Sequence, residues 1–74
     1  MTRLPTDLSG QELVKILLRI GFVFQRQSGS HIILRRESPY GRVSVPNHKA
    51  LRIGTLRTLL NEAGLTVEEL IALR

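Results

Sequence analysis

The chain has 74 residues and no cysteine, and it carries a formal net charge of +5. This length is about half that of a typical domain, so we expect one domain over residues 1–74, and the lack of cysteine excludes disulfides and thiolate metal sites. The positive charge comes mostly from arginine and makes nucleic acid the expected partner, although a solvated basic surface would have the same composition.

The first predicted element is a helix that starts after the capping-box pattern Ser9-Gly-Gln-Glu12. In such a box the hydroxyl accepts a hydrogen bond from a free backbone N–H of the first turn, and the glutamate reaches back to the cap residue. Apolar residues then recur at helical spacing, namely Leu13, Ile16, Leu17 and Ile20. Gly21 can adopt the left-handed conformation that ends a helix, so we expect the helix to end there.

Three short antiparallel strands are predicted next. From Phe22 the apolar residues alternate with polar ones, which is typical of a half-buried strand, and Ser28-Gly29 is typical of a hairpin turn. Residues 30–36 form the second strand, the turn formers of 37–41 follow, and residues 42–45 form the third strand. Pro46 ends the sheet because proline cannot donate to a strand ladder.

Two helices are predicted after the sheet. A polar, basic connection over residues 47–54 leads into a helix over residues 55–64, which Gly64 ends. Its apolar side consists of Leu56, Leu59, Leu60 and Ala63. A second capping box, Thr66-Val-Glu-Glu69, opens a short terminal helix that runs through Leu73. The apolar stripes of the helices must cover one sheet face, which predicts an α+β fold.

The run Ile32-Ile33-Leu34 leaves the facing of the second strand open between two registers. In one register Ile32 and Leu34 face the helices together with Phe22, Phe24, Val43 and Val45. The open face then carries His31, Ile33, Arg35, Gln25, Gln27, Arg42 and Ser44. In the other register Ile33 points inward and His31 lies near the helix edge. We favour the first register because its apolar set is cleaner.

His31 is either a surface turn residue or an acid/base group. An imidazole exists in both protonation states near neutral pH, and RNA carries its own nucleophile in the 2′-hydroxyl, so one exposed histidine is enough to assist cleavage. Arg26, Arg35 and Arg42 are candidates to hold the phosphate, and the backbone N–H groups of the Gly29 turn could assist them.

The connection after the sheet has a similar pair of interpretations. His48, Lys49 and Arg52 precede a helix N-terminus, a position that favours phosphate, but ordinary solvation of a loop explains them equally well. Two distant histidines with scattered carboxylates do not make a metal site, so no metal or cofactor is expected. Tyr40 lies between Pro39 and Gly41, and we expect it to pack in a turn rather than to stack on a nucleobase.

Two long stretches, residues 8–34 and 43–70, resemble the HicA-type toxins, which are small RNA-cleaving proteins of bacterial and archaeal type II toxin–antitoxin systems. The most specific shared pieces are Gly21-Phe22, the motif Arg26-Gln-Ser-Gly-Ser-His31, Val45-Pro-Asn-His-Lys49 and Gly54-Thr-Leu-Arg57. Ser28 departs from the pattern, because a basic residue is common there, and one phosphate contact would be weaker as a result.

The resemblance implies a fold like that of a double-stranded-RNA-binding domain and an mRNA interferase activity that does not need the ribosome. It implies that His31, the histidine of the Gly-Ser-His motif, is catalytic. The expected RNA-binding residues are Arg26, Ser30, Arg35, Arg42, His48, Lys49, Arg52 and Arg57. The expected partners are mRNA and a HicB-type antitoxin that binds the toxin directly and masks the histidine. Val23 and Ile33 would form part of the antitoxin-binding surface.

Two other interpretations stay open from the sequence. The chain could be an RNA-binding module of the same fold that does not cut RNA, or an inactive family member kept for its partner. The N-terminal residues lack the pattern of a signal peptide, and no apolar run is long enough to span a membrane. We therefore expect a soluble cytoplasmic protein that is monomeric when free and hetero-oligomeric with its antitoxin.

Overall fold

The computed structural model describes residues 3–74. Its elements in chain order are helix α1 (Gly10–Arg19), strands β1 (Val23–Ser28), β2 (His31–Glu37) and β3 (Tyr40–Pro46), and helices α2 (Ile53–Ala63) and α3 (Val67–Leu73). The strands form an antiparallel sheet in the order β1-β2-β3. The predicted α+β order of helix, three-stranded sheet, helix and short helix is confirmed.

Several boundaries differ from the predicted ones by one or two residues. β3 begins at Tyr40 rather than Arg42, because Tyr40 still pairs with Glu37 across the second hairpin. The first hairpin turns at residues 29–30, one residue later than predicted, and Gly29 adopts a positive φ of 60° there. α2 begins at Ile53, two residues earlier than predicted.

The predicted ends of the helices are confirmed. The Ser9 hydroxyl accepts from the Glu12 N–H at 3.0 Å, and the Glu12 carboxylate accepts from the Ser9 N–H at 3.1 Å. The second capping box has the same two bonds between Thr66 and Glu69. Gly64 follows α2 with a φ of 73°, as expected for a residue that ends a helix in the left-handed conformation.

The core lies between the helices and one face of the sheet. Every helix and strand except β1 contributes at least one fully buried side chain to it. Leu8 and Phe22, which lie in the connecting segments, are also fully buried there. The largest fully buried side chains are Leu8, Leu13, Leu17, Phe22, Leu34, Val43, Val45, Leu56 and Leu70. Every residue of β1 is exposed, so the helices leave this edge strand largely uncovered.

Helices α1 and α2 run in the same direction, with their N-termini beside each other. The segment that connects β3 to α2 joins them through two backbone bonds. The Gly10 N–H donates to the His48 carbonyl at 2.9 Å, and the Leu51 N–H donates to the Leu8 carbonyl at 2.8 Å. The positive ends of both helix dipoles therefore lie at the end of the sheet where β3 finishes.

Arg36 joins the opposite ends of the two helices. Its Nη1 donates to the Ile20 carbonyl at 3.2 Å and its Nη2 donates to the Ala63 carbonyl at 3.1 Å, so one guanidinium serves the C-termini of α1 and α2. Its Nε donates to the Pro39 carbonyl at 2.9 Å, and the group lies 4.4 Å from the centre of the Phe22 ring. A cation at a helix C-terminus is favourable because it offsets the negative end of the dipole.

The chain end packs against α1. Arg19 donates to the Leu73 carbonyl at 2.7 Å, and Arg74 pairs with Asp7 at 3.0 Å. The hydrogen bond from Arg74 lowers the pKa of the Asp7 carboxyl, so this contact favours folding above the usual carboxyl pKa and is lost as the pH falls through the lowered value. Within residues 3–74 no helix is long and apolar enough to cross a membrane.

Gly10→Ala and Gly54→Ala should change stability in opposite directions. A Cβ at position 10 would lie 2.1 Å from the Pro46 carbonyl oxygen, whereas a Cβ at position 54 meets nothing within 4 Å. We expect the first change to destabilise by about 1–3 kcal/mol and the second to stabilise by about 0.5 kcal/mol, because alanine has the higher helix propensity. Urea unfolding of both variants checks this, and equal effects would contradict it.

Arg36→Met should lower the free energy of unfolding by about 2 kcal/mol or more, since three carbonyls lose a charged donor. The matched control is Arg42→Met on β3, an exposed arginine, which should change it by about 0.5 kcal/mol or less. Thermal unfolding followed by circular dichroism measures both. Equal destabilisation by the two changes would show that Arg36 does not connect the helices energetically.

Candidate functional site

The sheet has one face against the helices and one open face, and the register shows which residues lie on each. Residues opposite one another on neighbouring strands share a face. Leu34 and its partner Val43 are fully buried beneath the helices. His31, Ile33 and Arg35 alternate with these positions and pair with Pro46, Ser44 and Arg42. The favoured of the two predicted registers is therefore the one that β2 and β3 adopt, and it places His31 on the open face.

A bulge in β1 changes the open face from the predicted one. Phe24 is opposite Leu34, but Arg26 rather than Gln25 is opposite the next residue, Ile33. Gln25 is the extra residue, so the alternation reverses and Arg26 lies on the open face, while Gln27 lies opposite Ile32 on the helix side. Gln27 was expected on the open face together with Gln25, and for Gln27 that prediction was wrong.

His31 is the first residue of β2 and is exposed. Its Nδ1 is hydrogen-bonded to the Ser44 hydroxyl at 3.2 Å. A hydroxyl can donate to or accept from a ring nitrogen, so this contact holds the ring in either neutral tautomer. Since Nδ1 has a partner, Nε2 is the ring nitrogen available to a ligand. Ser44 was expected on the open face but was not recognised as a site residue, because nothing in the sequence links it to position 31.

Arg26 is the arginine of the open face closest to His31 in the register. Ser28 is opposite His31 and Arg26 is two residues before it, which makes Arg26 a diagonal neighbour of His31 at about 7–8 Å between Cα atoms. An arginine side chain is long enough to bridge this distance through an anion. Arg26 and His31 are therefore placed to contact one phosphate group.

The segment after β3 lies beside His31. The Asn47 N–H donates to the Ser30 carbonyl at 2.7 Å, and Pro46 is the direct partner of His31. This connection brings His48 and Lys49 to the same end of the sheet. They line a shallow depression at the N-terminus of α1 with Ser9, Gln11 and Asn47. Arg52 is the N-cap residue of α2 without a side-chain cap bond, and Arg57 is exposed further along that helix.

Arg35 and Arg42 lie opposite each other, away from His31. Arg35 is four residues along β2 from His31, which corresponds to about 13 Å. The Arg35 Nη2 lies 3.1 Å from the Glu37 Oε1, and its guanidinium lies 6.0 Å from the centre of the Tyr40 ring. Tyr40 is 67% exposed, so the expectation that it packs in a turn was wrong. It pairs with Glu37 and extends from the open face.

Two apolar residues of the sheet differ from their predicted environment. Phe24 was expected in the core but is 57% exposed, because the helices do not reach over the edge strand. Ile33 was expected to be available to a partner but is only 6% exposed, although it lies on the open face. Its neighbours across the strands, Arg26 and Ser44, cover it. Val23, at 60% exposure, is available for contact.

Over residues 3–74 the structure contains no group of three or more histidine, cysteine, aspartate or glutamate side chains that could hold a metal ion. The functional groups of the open face include the His31 imidazole, the Ser44 hydroxyl and the guanidinium groups of Arg26, Arg35 and Arg42.

Residues 10–65 match the family described as the HicA toxin of bacterial toxin–antitoxin systems. The chain belongs to the HicA toxin family. This confirms the family predicted from the sequence motifs and supports a toxin role in a toxin–antitoxin system. The matched region extends from α1 to the residue after Gly64, so it includes the whole sheet and the His31 site. No curated protein was found to be similar to the chain.

Ser44→Ala should change the ¹⁵N chemical shift of the His31 Nδ1 atom in this HicA family member, because Nδ1 loses its hydroxyl partner. The ¹⁵N shifts of the two imidazole nitrogens are measured by NMR. Ser44→Thr keeps the hydroxyl and is the matched control, with shifts close to those of the wild type. Identical shifts in all three proteins would show that the hydrogen bond does not hold the ring in solution.

Proposed function

We propose that this HicA family member is a toxin that cleaves mRNA by acid/base catalysis at His31, without a metal ion. The observation that carries the proposal is the exposed His31 ring, held at Nδ1 by Ser44, with the guanidinium of Arg26 on the same face. This arrangement offers a proton-transfer group and an anion-binding group side by side.

The reaction uses the 2′-hydroxyl of RNA as the nucleophile. Nε2 of His31 accepts the 2′-hydroxyl proton or protonates the leaving 5′-oxygen, and the contact with Ser44 suits either role because a hydroxyl can both donate and accept. The P–O5′ bond breaks as the 2′-oxygen bonds to phosphorus, and solvent water makes the one proton transfer that His31 does not make. The products carry a 2′,3′-cyclic phosphate and a 5′-hydroxyl.

The charges around His31 support binding of the substrate. Arg26 provides a paired donor for the scissile phosphate and stabilises the charge that develops there. Ser30, His48 and Lys49 lie at the same end of the sheet, and Arg52 and Arg57 continue the basic surface onto α2. The N-termini of α1 and α2 meet at this end, and their positive dipole ends favour phosphate as well.

A HicB-type antitoxin is the proposed inhibitor. To silence this site it must cover His31, and the open face offers the exposed side chains of Val23 and Tyr40 beside the arginines. An acidic segment seated across β1 and β2 would neutralise Arg26 and exclude RNA at the same time.

His31→Ala should abolish RNA cleavage and growth arrest, since loss of a general acid/base costs about 10²- to 10⁴-fold in rate. The measurement is cleavage of an mRNA transcript by purified protein in the presence of a chelator, with analysis of the product ends. The comparison variant is His48→Ala, which removes the chain's other histidine and should weaken RNA binding while leaving the cleavage rate at saturating RNA unchanged.

Three outcomes of that experiment bear on the proposal. Loss of cleavage in the chelator would contradict the metal-independent mechanism, and cleavage by His31→Ala at the wild-type rate would remove His31 from it. Intact RNA with a salt-dependent mobility shift in the wild type would favour the alternative function, an RNA-binding module that does not cut.

A further inference from the structure

We propose that Tyr40, Arg35 and Arg42 form a second binding subsite, at the far end of the open face from His31, that takes an unpaired nucleotide of a single-stranded RNA. It rests on the proposed function, because the same RNA strand would occupy both ends of this face. The tyrosine ring would stack on the base and the two arginines would hold the flanking phosphates.

The exposure of Tyr40 is the first observation. Its side chain is 67% exposed at the tip of the second hairpin, a larger exposed fraction than that of either exposed apolar residue of β1. An exposed tyrosine contributes little to the core. The neighbouring Gly41 faces the core instead, because a Cβ at that position would lie 3.0 Å from the Phe22 ring. The Arg35 guanidinium lies over the ring of Tyr40, 6.0 Å from its centre, so a nucleobase would stack on the opposite face. Any base can stack there, because every base has a π-face.

The pairing of two arginines is the second observation. Arg35 and Arg42 are direct cross-strand partners, and like charges placed directly opposite each other destabilise a sheet. Glu37 offsets only part of this charge, through one exposed ion pair to Arg35 at 3.1 Å. The Arg35 side chain is 42% exposed and Arg42 is exposed as well. A phosphate bound to their accessible guanidinium nitrogens would supply the missing negative charge.

The position of the subsite on the sheet indicates the length and form of the ligand. Tyr40 is opposite Glu37, which is six residues along β2 from His31 and therefore about 20 Å away. At the rise of about 3.4 Å per nucleotide of a stacked strand this distance spans about six nucleotides, and an extended strand needs fewer. The ring can stack only on a base that is not paired, so the subsite selects single-stranded RNA.

The test measures RNA binding in a His31→Ala background, in which cleavage does not disturb the equilibrium. Fluorescence anisotropy with a labelled single-stranded RNA should show about tenfold weaker binding for Tyr40→Ala. Tyr40→Phe keeps the ring and should bind like the background protein. Phe24→Ala is the matched control, because Phe24 is similarly exposed on β1 but lies on the other side of the sheet.

Salt dependence and charge variants separate stacking from phosphate contacts. Arg42→Gln should lower the slope of log Kd against log salt concentration by about one, whereas Tyr40→Ala should leave the slope unchanged. Glu37→Gln should tighten binding, because it frees Arg35 from its ion pair. Binding of a fully double-stranded RNA should not respond to Tyr40→Ala.

Unchanged single-stranded RNA affinity in Tyr40→Ala would overturn the subsite and leave the proposed cleavage at His31 standing, provided that the wild type still cuts RNA. Equal weakening for single-stranded and duplex RNA would overturn base stacking. If RNA affinity is unchanged but Tyr40→Ala binds the co-expressed antitoxin more weakly, the surface is a protein-binding one and the inference fails. Absence of RNA binding by the background protein and every variant would also overturn the subsite, and cleavage by the wild type decides the proposed function separately.

Discussion

The guanidinium of Arg36 is the contact on which the arrangement of this fold depends. It donates to the last carbonyls of α1 and α2 and to the turn between β2 and β3, and it lies over the Phe22 ring. Three elements that are far apart in the chain thus share one cation. Gly21 and Gly64, which end the two helices, lie beside its side chain with φ values of 100° and 73°. A side chain at either glycine would strain the backbone next to the guanidinium.

The same contact affects how charge is distributed between the two ends of the sheet. Because Arg36 offsets the negative ends of two helices that run the same way, their positive ends are left together at the opposite end, beside His31. The basic residues of the 47–52 segment add to this field. The imidazole therefore lies at the end of the sheet where both helix dipoles are positive. Arg36 and His31 occupy opposite ends of one strand, β2.

The sequence patterns predicted the elements well because their signals are local. Both capping boxes and Gly64 act within one turn of the chain. The bulge at Gln25 could not be predicted, since it depends on pairing with β2, and without it Gln27 was assigned to the wrong face. The structural role of Arg36 could have been predicted from its position in the strand. Arg36 follows Leu34 at an inward-facing position, and a charged residue there requires partners. The exposure of Phe24 depends on which strand forms the edge of the sheet, and the composition of the chain does not reveal the strand order.

The open face also shows why stability and function are not fully separable in so small a fold. Ile33 is buried there without any helix over it, and its neighbours across the strands are Arg26 and Ser44. Arg26, which is proposed to hold the phosphate, and Ser44, which holds the imidazole, therefore also cover the side chain of Ile33. His31, at the exposed start of the strand, does not cover Ile33. A change at His31 therefore tests the proposed chemistry without exposing Ile33, whereas a change at Arg26 also exposes Ile33 to water.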